Sequence, residues 1–297
     1  MDHKAFMQSL SPADKVGLTK KSNRKGLVHL AIYTALTMGC AIWVWQLAPF
    51  WPVAFAALAI LLAFTFTLQH ECTHDTPFET RWVNSAVGFF TGVILFQPFL
   101  WFRYFHLAHH RHTNTPGRDP ELDGDGKPDT WRDLIWYFST IPYWQAKASV
   151  LWRSAFSQEF AEYIPTAARP KIQREARLML IIYIVAALAL WFEPKILIIW
   201  LVPLAAGFPF LRLYLLAEHG RCAFIANMFE NTRTTFTNRM IRFIAWNMPY
   251  HTEHHVFPNV PFHSLPALHS LMAHHLQMTS SGYTNFTRAY VRSLKRK

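Results

Sequence analysis

The stretch "WPVAFAALAILLAFTFTLQHECTH", residues 51–74, is almost wholly apolar up to Gln69 and then ends in two histidines four residues apart. A helix rising 1.5 Å per residue needs ~20 apolar residues to cross a ~30 Å hydrocarbon core. Residues 51–69 are therefore read as a membrane-crossing helix, and the HxxxH spacing that closes it places His70 and His74 on one helical face.

Three further stretches of that kind occur at residues 27–47, 177–194 and 196–218. "LAPFWP" joins the first to the 51–69 run and "FEPK" joins the last two, and links this short make each pair a helical hairpin through the bilayer. The expected fold is thus all-α: an integral membrane protein of four spans in two hairpins, with a cytoplasmic helical cap. A fifth apolar run, residues 84–102, lies between the polar "HECTHDTPFETR" and "RYFHLAHHRH". A single crossing would separate those flanks, so it is expected to be re-entrant or interfacial, broken near Pro98.

Composition agrees with a lipid environment, the 297 residues being 52% hydrophobic and 16% aromatic. The three cysteines, Cys40, Cys72 and Cys222, form no CxxC, which excludes a disulfide framework and leaves any metal to nitrogen or oxygen ligands. Much of the net charge of +11 borders the apolar segments, in residues 15–25, in "RPKIQREAR" at 169–177 and in "RSLKRK" at 292–297. Basic residues in those places mark the cytoplasmic side of a membrane and argue against nucleic acid as a partner. Both termini and the functional site are accordingly expected on the cytoplasmic side. No small-residue cleavage site precedes the first apolar run, so the basic segment 1–26 is expected to stay on the mature chain.

Residues 1–297 read as a single domain, with a polar loop at 113–130 and a basic tail at 273–297. The loop's "DGDG" is read as a turn, because the acidic twelfth ligand of a calcium loop is missing. No GxGxxG, P-loop or internal repeat is present.

Nine of the 16 histidines fall in boxes or at helix ends. Beside His70 and His74 stand His106, His109 and His110 in "HLAHH", His251, His254 and His255 in "HTEHH", and His219 in "AEHGRC" where the fourth span closes. The i, i+3, i+4 spacing gathers each box on one stripe of a helix. Nine imidazoles exceed the four to six ligands of one transition ion and suit two, while leaving iron, copper, zinc and nickel open. Glu71, Asp75, Asp119, Glu218 and Glu253 lie beside the boxes, where carboxylates that orient imidazoles are found, although each also fits a solvated surface charge. His3, His29, His263, His269, His274 and His275 are read as ordinary core or surface residues, and His112 shares the second box without its stripe.

HxxxH, HxxHH, an isolated histidine, HxxHH and then "EHHVFPNVP" in that order resemble the membrane-bound fatty acid desaturase superfamily, which also holds hydroxylases and carotenoid ketolases. The resemblance covers roughly residues 27–272. It implies a non-haem diiron centre ligated by His70, His74, His106, His109, His110, His219, His251, His254 and His255, with dioxygen as co-substrate and a lipid or fatty-acyl chain as substrate. Leu215 stands where acyl-CoA desaturases place an Asn, and "TPGRDP" and "EHG" are similar to elements of membrane alkane hydroxylases. Hydroxylation of an alkyl, lipid or carotenoid substrate is therefore the alternative to desaturation. With no flavin, ferredoxin or haem segment in these residues, electrons are expected from a separate ferredoxin, rubredoxin or haem protein. The rival readings are a membrane metal carrier, whose histidines would form low-complexity tracts, and a di-haem carrier, whose axial pairs would lie inside the spans.

Overall fold

The computed structural model describes residues 2–123 and 126–295. Met1, the Gly124–Asp125 part of the expected DGDG turn and the Arg296–Lys297 end of the basic tail lie outside the described residues.

The chain is mostly helical, at 70%. Two short helices, α1 (His3–Ser9) and α2 (Pro12–Leu18), lead into α3 (Asn23–Trp45) and α4 (Trp51–Thr73). Then come α5 (Arg81–Leu95), α6 (Phe99–His112), α7 (Trp131–Phe138) and α8 (Ile141–Phe156), followed by α9 (Arg169–Phe192) and α10 (Val202–His219). A π-helical turn, Leu197–Leu201, runs directly into α10. The remainder is α11 (Met228–Asn231), α12 (Arg239–Ile244), α13 (His251–Val256), α14 (Leu265–Met272) and α15 (Tyr283–Arg292). Among the described residues the only sheet is a two-residue parallel pair, Thr234–Thr235 with Thr279–Ser280.

Four helices are long and apolar enough to cross a membrane: Pro12–Trp45, Trp51–Thr73, Thr166–Phe192 and Leu197–His219. They correspond to the four expected spans, with shifted ends. The helix expected over 51–69 runs on to Thr73 and takes His70 into its last turn, and the "RPKIQREAR" segment forms the first turns of α9. Charge and polarity mark where a helix leaves lipid, whereas the helix itself continues until its hydrogen bonding is capped.

Burial separates the helices into an outer and an inner pair. Ile32, Leu36 and Ile42 of α3 and Ile184, Leu188 and Trp191 of α9 are exposed, as lipid-facing residues are. α4 and α10 form the centre, where Gly207 lies so close to α4 that a Cβ there would be 2.0 Å from the Ala59 carbonyl oxygen. Small residues permit such approach between membrane helices.

The fifth apolar run is broken. α5 and α6 meet at 99° across Phe96–Pro98, a break or re-entrant turn where the sequence placed one. A bend among apolar helices must have its backbone groups satisfied from within the protein. Tyr183 Oη donates to Val93 O (2.9 Å), Trp200 Nε1 to Ile94 O (3.1 Å) and Gln69 Nε2 to Gln97 O (3.0 Å). Across the bend, Leu100 N–H donates to Glu175 of α9 at 2.8 Å, so a carboxylate caps the start of α6.

Residues 131–156 form two surface helices that no periodicity had singled out. They bury Leu134, Tyr137 and Leu151 and expose Trp131, Ile135, Trp136, Trp152 and Phe156. The C-terminal ends of α4 and α10, together with α6 and α13, converge at one end of the bundle and hold the histidines there.

Candidate metal centre

All nine histidines of the boxes come together, in two groups. The ligand nitrogens of His70, His74, His106, His110 and His254 lie within 4.8 Å of one another, as do those of His109, His219 and His255. His251 joins the second group, its Nε2 standing 3.1 Å from Nε2 of both His219 and His255. The division is therefore five and four.

Each HxxHH box is shared between the groups. On α6 the i, i+4 pair His106 and His110 faces the first group and His109 the second; on α13 His251 and His255 face the second and His254 the first. At 100° per residue, positions i and i+4 are only about 40° apart, while i+3 lies about 60° to the other side. One helical stripe is thus wide enough to serve two neighbouring sites. The two groups adjoin, with the His110 and His255 rings stacked at 4.0 Å between centroids.

The arrangement suits a cation. Nε2 of His106 lies 2.9 Å from Nε2 of His74 and 2.9 Å from that of His110, which in turn lies 3.1 Å from Nε2 of His254. The opposite ring edges face acceptors. His109 Nδ1 donates to Asp119 at 2.9 Å and His219 Nδ1 to Asn231 O at 3.0 Å, and His255 Nδ1 lies 3.1 Å from Thr113 Oγ1. His251 Nδ1 faces Glu218 at 3.4 Å and His254 Nδ1 faces Glu71 at 3.5 Å. A ring that carries its proton on Nδ1 turns a lone pair on Nε2 inward, and lone pairs ~3 Å apart repel unless a positive charge lies among them. Donors at right angles around an ion, each ~2.0–2.1 Å from it, are roughly 3 Å apart. His70, with both ring nitrogens buried and unpartnered, completes a donor set that a transition metal fits.

Eight of the nine are buried and His74 is partly exposed. Burial, more than the neighbouring rings, holds His251, His254 and His255 well below the ordinary histidine range, so they are neutral and able to ligate at physiological pH.

Three of the five flanking carboxylates, Glu71, Asp119 and Glu218, face imidazoles. The other two face none of the nine. Asp75 pairs with Arg103 (2.6 Å) and Arg81 (3.5 Å), and Glu253 accepts from Thr234 Oγ1 (2.6 Å) and meets His269 Nδ1. His269 is thus a hydrogen-bonded residue outside both groups, in keeping with its reading from the sequence, and His112 also stays outside them.

Several supporting residues carried no signal in the sequence. Asn231 accepts on its carbonyl from His219 Nδ1 and from Asn114 Nδ2, while its own Nδ2 donates to Thr113 O and Ile225 O. Arg233 Nη1 donates to Ala217 O (2.7 Å) and Gly220 O (2.8 Å), which caps the end of α10 around His219. Both act across folds of the chain that leave no local spacing to read.

Comparison with known proteins places this geometry. An sn-1 oleoyl-lipid 12-desaturase of Anabaena variabilis is 24% identical over 269 residues, 85% of this chain and 65% of that protein. A sphingolipid delta(4)-desaturase of Rattus norvegicus is 26% identical over 76% of this chain and 66% of its own length, so the chain spans about two thirds of these relatives. A sphingolipid delta(4)-desaturase/C4-monooxygenase of Mus musculus is 25% identical over 83% of this chain and 72% of that protein. The family described as fatty acid desaturase matches residues 19–287, nearly the whole chain, and the protein belongs to that family.

Proposed function

We propose that the protein is a membrane-bound non-haem diiron oxidoreductase that desaturates a fatty-acyl or lipid chain with dioxygen and external electrons. The observation that carries this reading is the five-plus-four division of nine imidazoles, seven of which bring their Nε2 atoms within 2.9–3.1 Å of one another. His70, His74, His106, His110 and His254 would hold one iron and His109, His219, His251 and His255 the other. When bound, the irons would supply the redox chemistry that reduces dioxygen and removes hydrogen from an unactivated C–H bond.

The chain's own residues position and enclose that chemistry. Asp119, Asn231 and Thr113 hold the Nδ1 edges of His109, His219 and His255 and so turn Nε2 of those rings inward, while Glu218 and Glu71 stand 3.4 and 3.5 Å from Nδ1 of His251 and His254. Phe102 stacks on His106 (5.5 Å) and Phe66 lies against His70 (6.4 Å), an aromatic wall that keeps water from the apolar side of the centre. The four apolar helices present that side to lipid, from which an acyl chain would enter. We place both termini and the centre on the cytoplasmic side, in one domain, with an external electron donor.

Hydroxylation on the same scaffold is the second reading. It is supported by a relative named for both desaturase and monooxygenase activity and by the "TPGRDP" and "EHG" sequences. Mass spectrometry of lipids from cells expressing the protein separates the two: loss of two hydrogens is expected, and a gain of one oxygen would replace desaturation by hydroxylation.

A further inference from the structure

The nine histidines are unequally enclosed. His74, at the end of α4, is the one residue of the nine that is not fully buried, and its Nε2 lies 2.9 Å from that of His106. It therefore connects the protein surface to the five-histidine group in one step.

The surface around His74 is cationic. Residues 15–25 carry Lys15, Lys20, Lys21, Arg24 and Lys25 with no acidic residue among them. This segment is fastened to the turn that follows His74. Asn23 Nδ2 donates to Thr80 Oγ1 (2.8 Å), and Thr80 N–H donates to Asn23 Oδ1 (3.1 Å). Gly26 packs against the same turn so closely that a Cβ would fall 2.1 Å from Pro77 O. Arg81, its side chain 84% exposed, adds a cation from the turn itself. Asp75 is held between Arg103 and Arg81, which leaves Glu79 as the other acidic residue of 75–81.

We propose that this face is the docking site of an acidic one-electron carrier protein, which passes electrons to the five-histidine group through His74. The proposal rests on the desaturase reading, in which a CH2–CH2 unit, dioxygen, two electrons and two protons give a CH=CH unit and two waters. The carrier loses one electron at each docking, so two dockings supply one turnover. A fixed cationic field raises the encounter rate with an acidic partner and makes it salt-dependent. Anionic lipid headgroups are also drawn to juxtamembrane lysines. The location of the patch over the least enclosed histidine favours the carrier.

The test uses the full chain in zwitterionic nanodiscs, with an acidic plant-type [2Fe–2S] ferredoxin as the probe carrier. Binding of the oxidised ferredoxin should weaken steeply as salt rises from about 50 to 300 mM, since the Debye length shortens over that range. The variant K20Q/K21Q/R24Q/K25Q should bind about tenfold more weakly or worse, with a flatter salt dependence. Its KM for reduced ferredoxin should rise while iron content and kcat at saturating ferredoxin hold. R288Q/R292Q, which removes exposed cations from α15, should bind as the parent does. Unchanged ferredoxin binding in the quadruple variant overturns the proposal, and so does a loss confined to binding of anionic phosphatidylglycerol vesicles. Weakened ferredoxin binding in the variant, beside an absence of lipid product from the parent with either ferredoxin or dithionite, would leave the docking site standing and sink the desaturase reading instead.

Discussion

His219 is the histidine with least local support, having no second histidine within four residues, yet it stands at the centre of the second group. Its Nδ1 donates to Asn231 O and its Nε2 meets His251 Nε2 at 3.1 Å. His219→Ala should lower iron content and abolish turnover, since even the loss of an outer hydrogen-bond partner typically costs ~10 to 100-fold in metal affinity or activity. His263→Ala also deletes an imidazole but one outside both groups, and should leave iron and turnover nearly unchanged. Full iron and activity in the His219 variant would make that residue structural and reduce the site to eight ligands. Glu218→Gln keeps the shape of the side chain that faces His251 and replaces its carboxyl group by an amide, so a loss of ~10 to 100-fold is expected in activity or iron affinity. The histidines were legible because ligation from a helix imposes i, i+3, i+4 spacing on adjacent residues. Asn231 and Arg233 were not, because each acts on His219 from 12 and 14 residues further along, across a chain reversal with no period. The division of each box between two groups also escaped the sequence, since it depends on which helices lie on either side of α6 and α13.

At the scale of elements, the break between α5 and α6 aims the second box at the other histidines, and it depends on one glycine. A Cβ at Gly92 would lie 2.5 Å from Gln97 O and 2.8 Å from Gln69 Nε2, displacing the bond between them that satisfies the bend. Gly92→Ala should therefore destabilise the protein by about 1–3 kcal/mol, the usual range for overpacking, and lower its melting temperature. Gly39→Ala on the lipid-facing α3, where nothing lies within 4 Å of a Cβ, should be neutral or slightly stabilising. Equal melting temperatures for the two variants would show that the bend is more compliant than its packing implies. The break was foreseeable because polar flanks on both sides of residues 84–102 conflict with a single crossing. Its right angle and the cap from Glu175 were not, being set by groups on α4 and α9. The short helix α13 gives a second prediction. His251, His254 and His255 are held neutral by burial, with their folded pKa values below the ~6.5 of the unfolded chain. Below that pH the unfolded chain takes up protons that the folded chain refuses, so stability is present above ~6.5 and is lost as pH falls. Metal-free protein should melt at a lower temperature at pH 5 than at pH 7.5, and H251Q/H255Q should flatten that dependence. Greater stability on acidification would mean that these rings are charged in the folded state.

Over the whole molecule, the number of crossings decides whether one membrane face can own the entire site. Four helices satisfy the length and composition of a span, and the bent α5–α6 pair would make a fifth if it were one broken crossing. An even number returns the chain to the side on which it began. The basic residues of 15–25 stand at the start of the first long helix, ahead of its apolar run, and those of 288–295 follow the last long helix, the pattern expected of two cytoplasmic ends. The histidines give an independent reason. His74 and His219 end the second and fourth long helices, and both belong with His106, His109 and His110 at the end of α6. A complete crossing by residues 81–112 would carry that end of α6 away from His74 by the thickness of the bilayer, ~30 Å, whereas the two imidazoles are in contact at 2.9 Å. We therefore propose that the bent pair enters and leaves on the same side, which gives four crossings. Reporter fusions at Met1 and Lys297 should both report the cytoplasm, and a reporter inserted in the exposed 116–118 turn should report it too. Termini on opposite sides would establish an odd number of crossings and make the bent pair a true span.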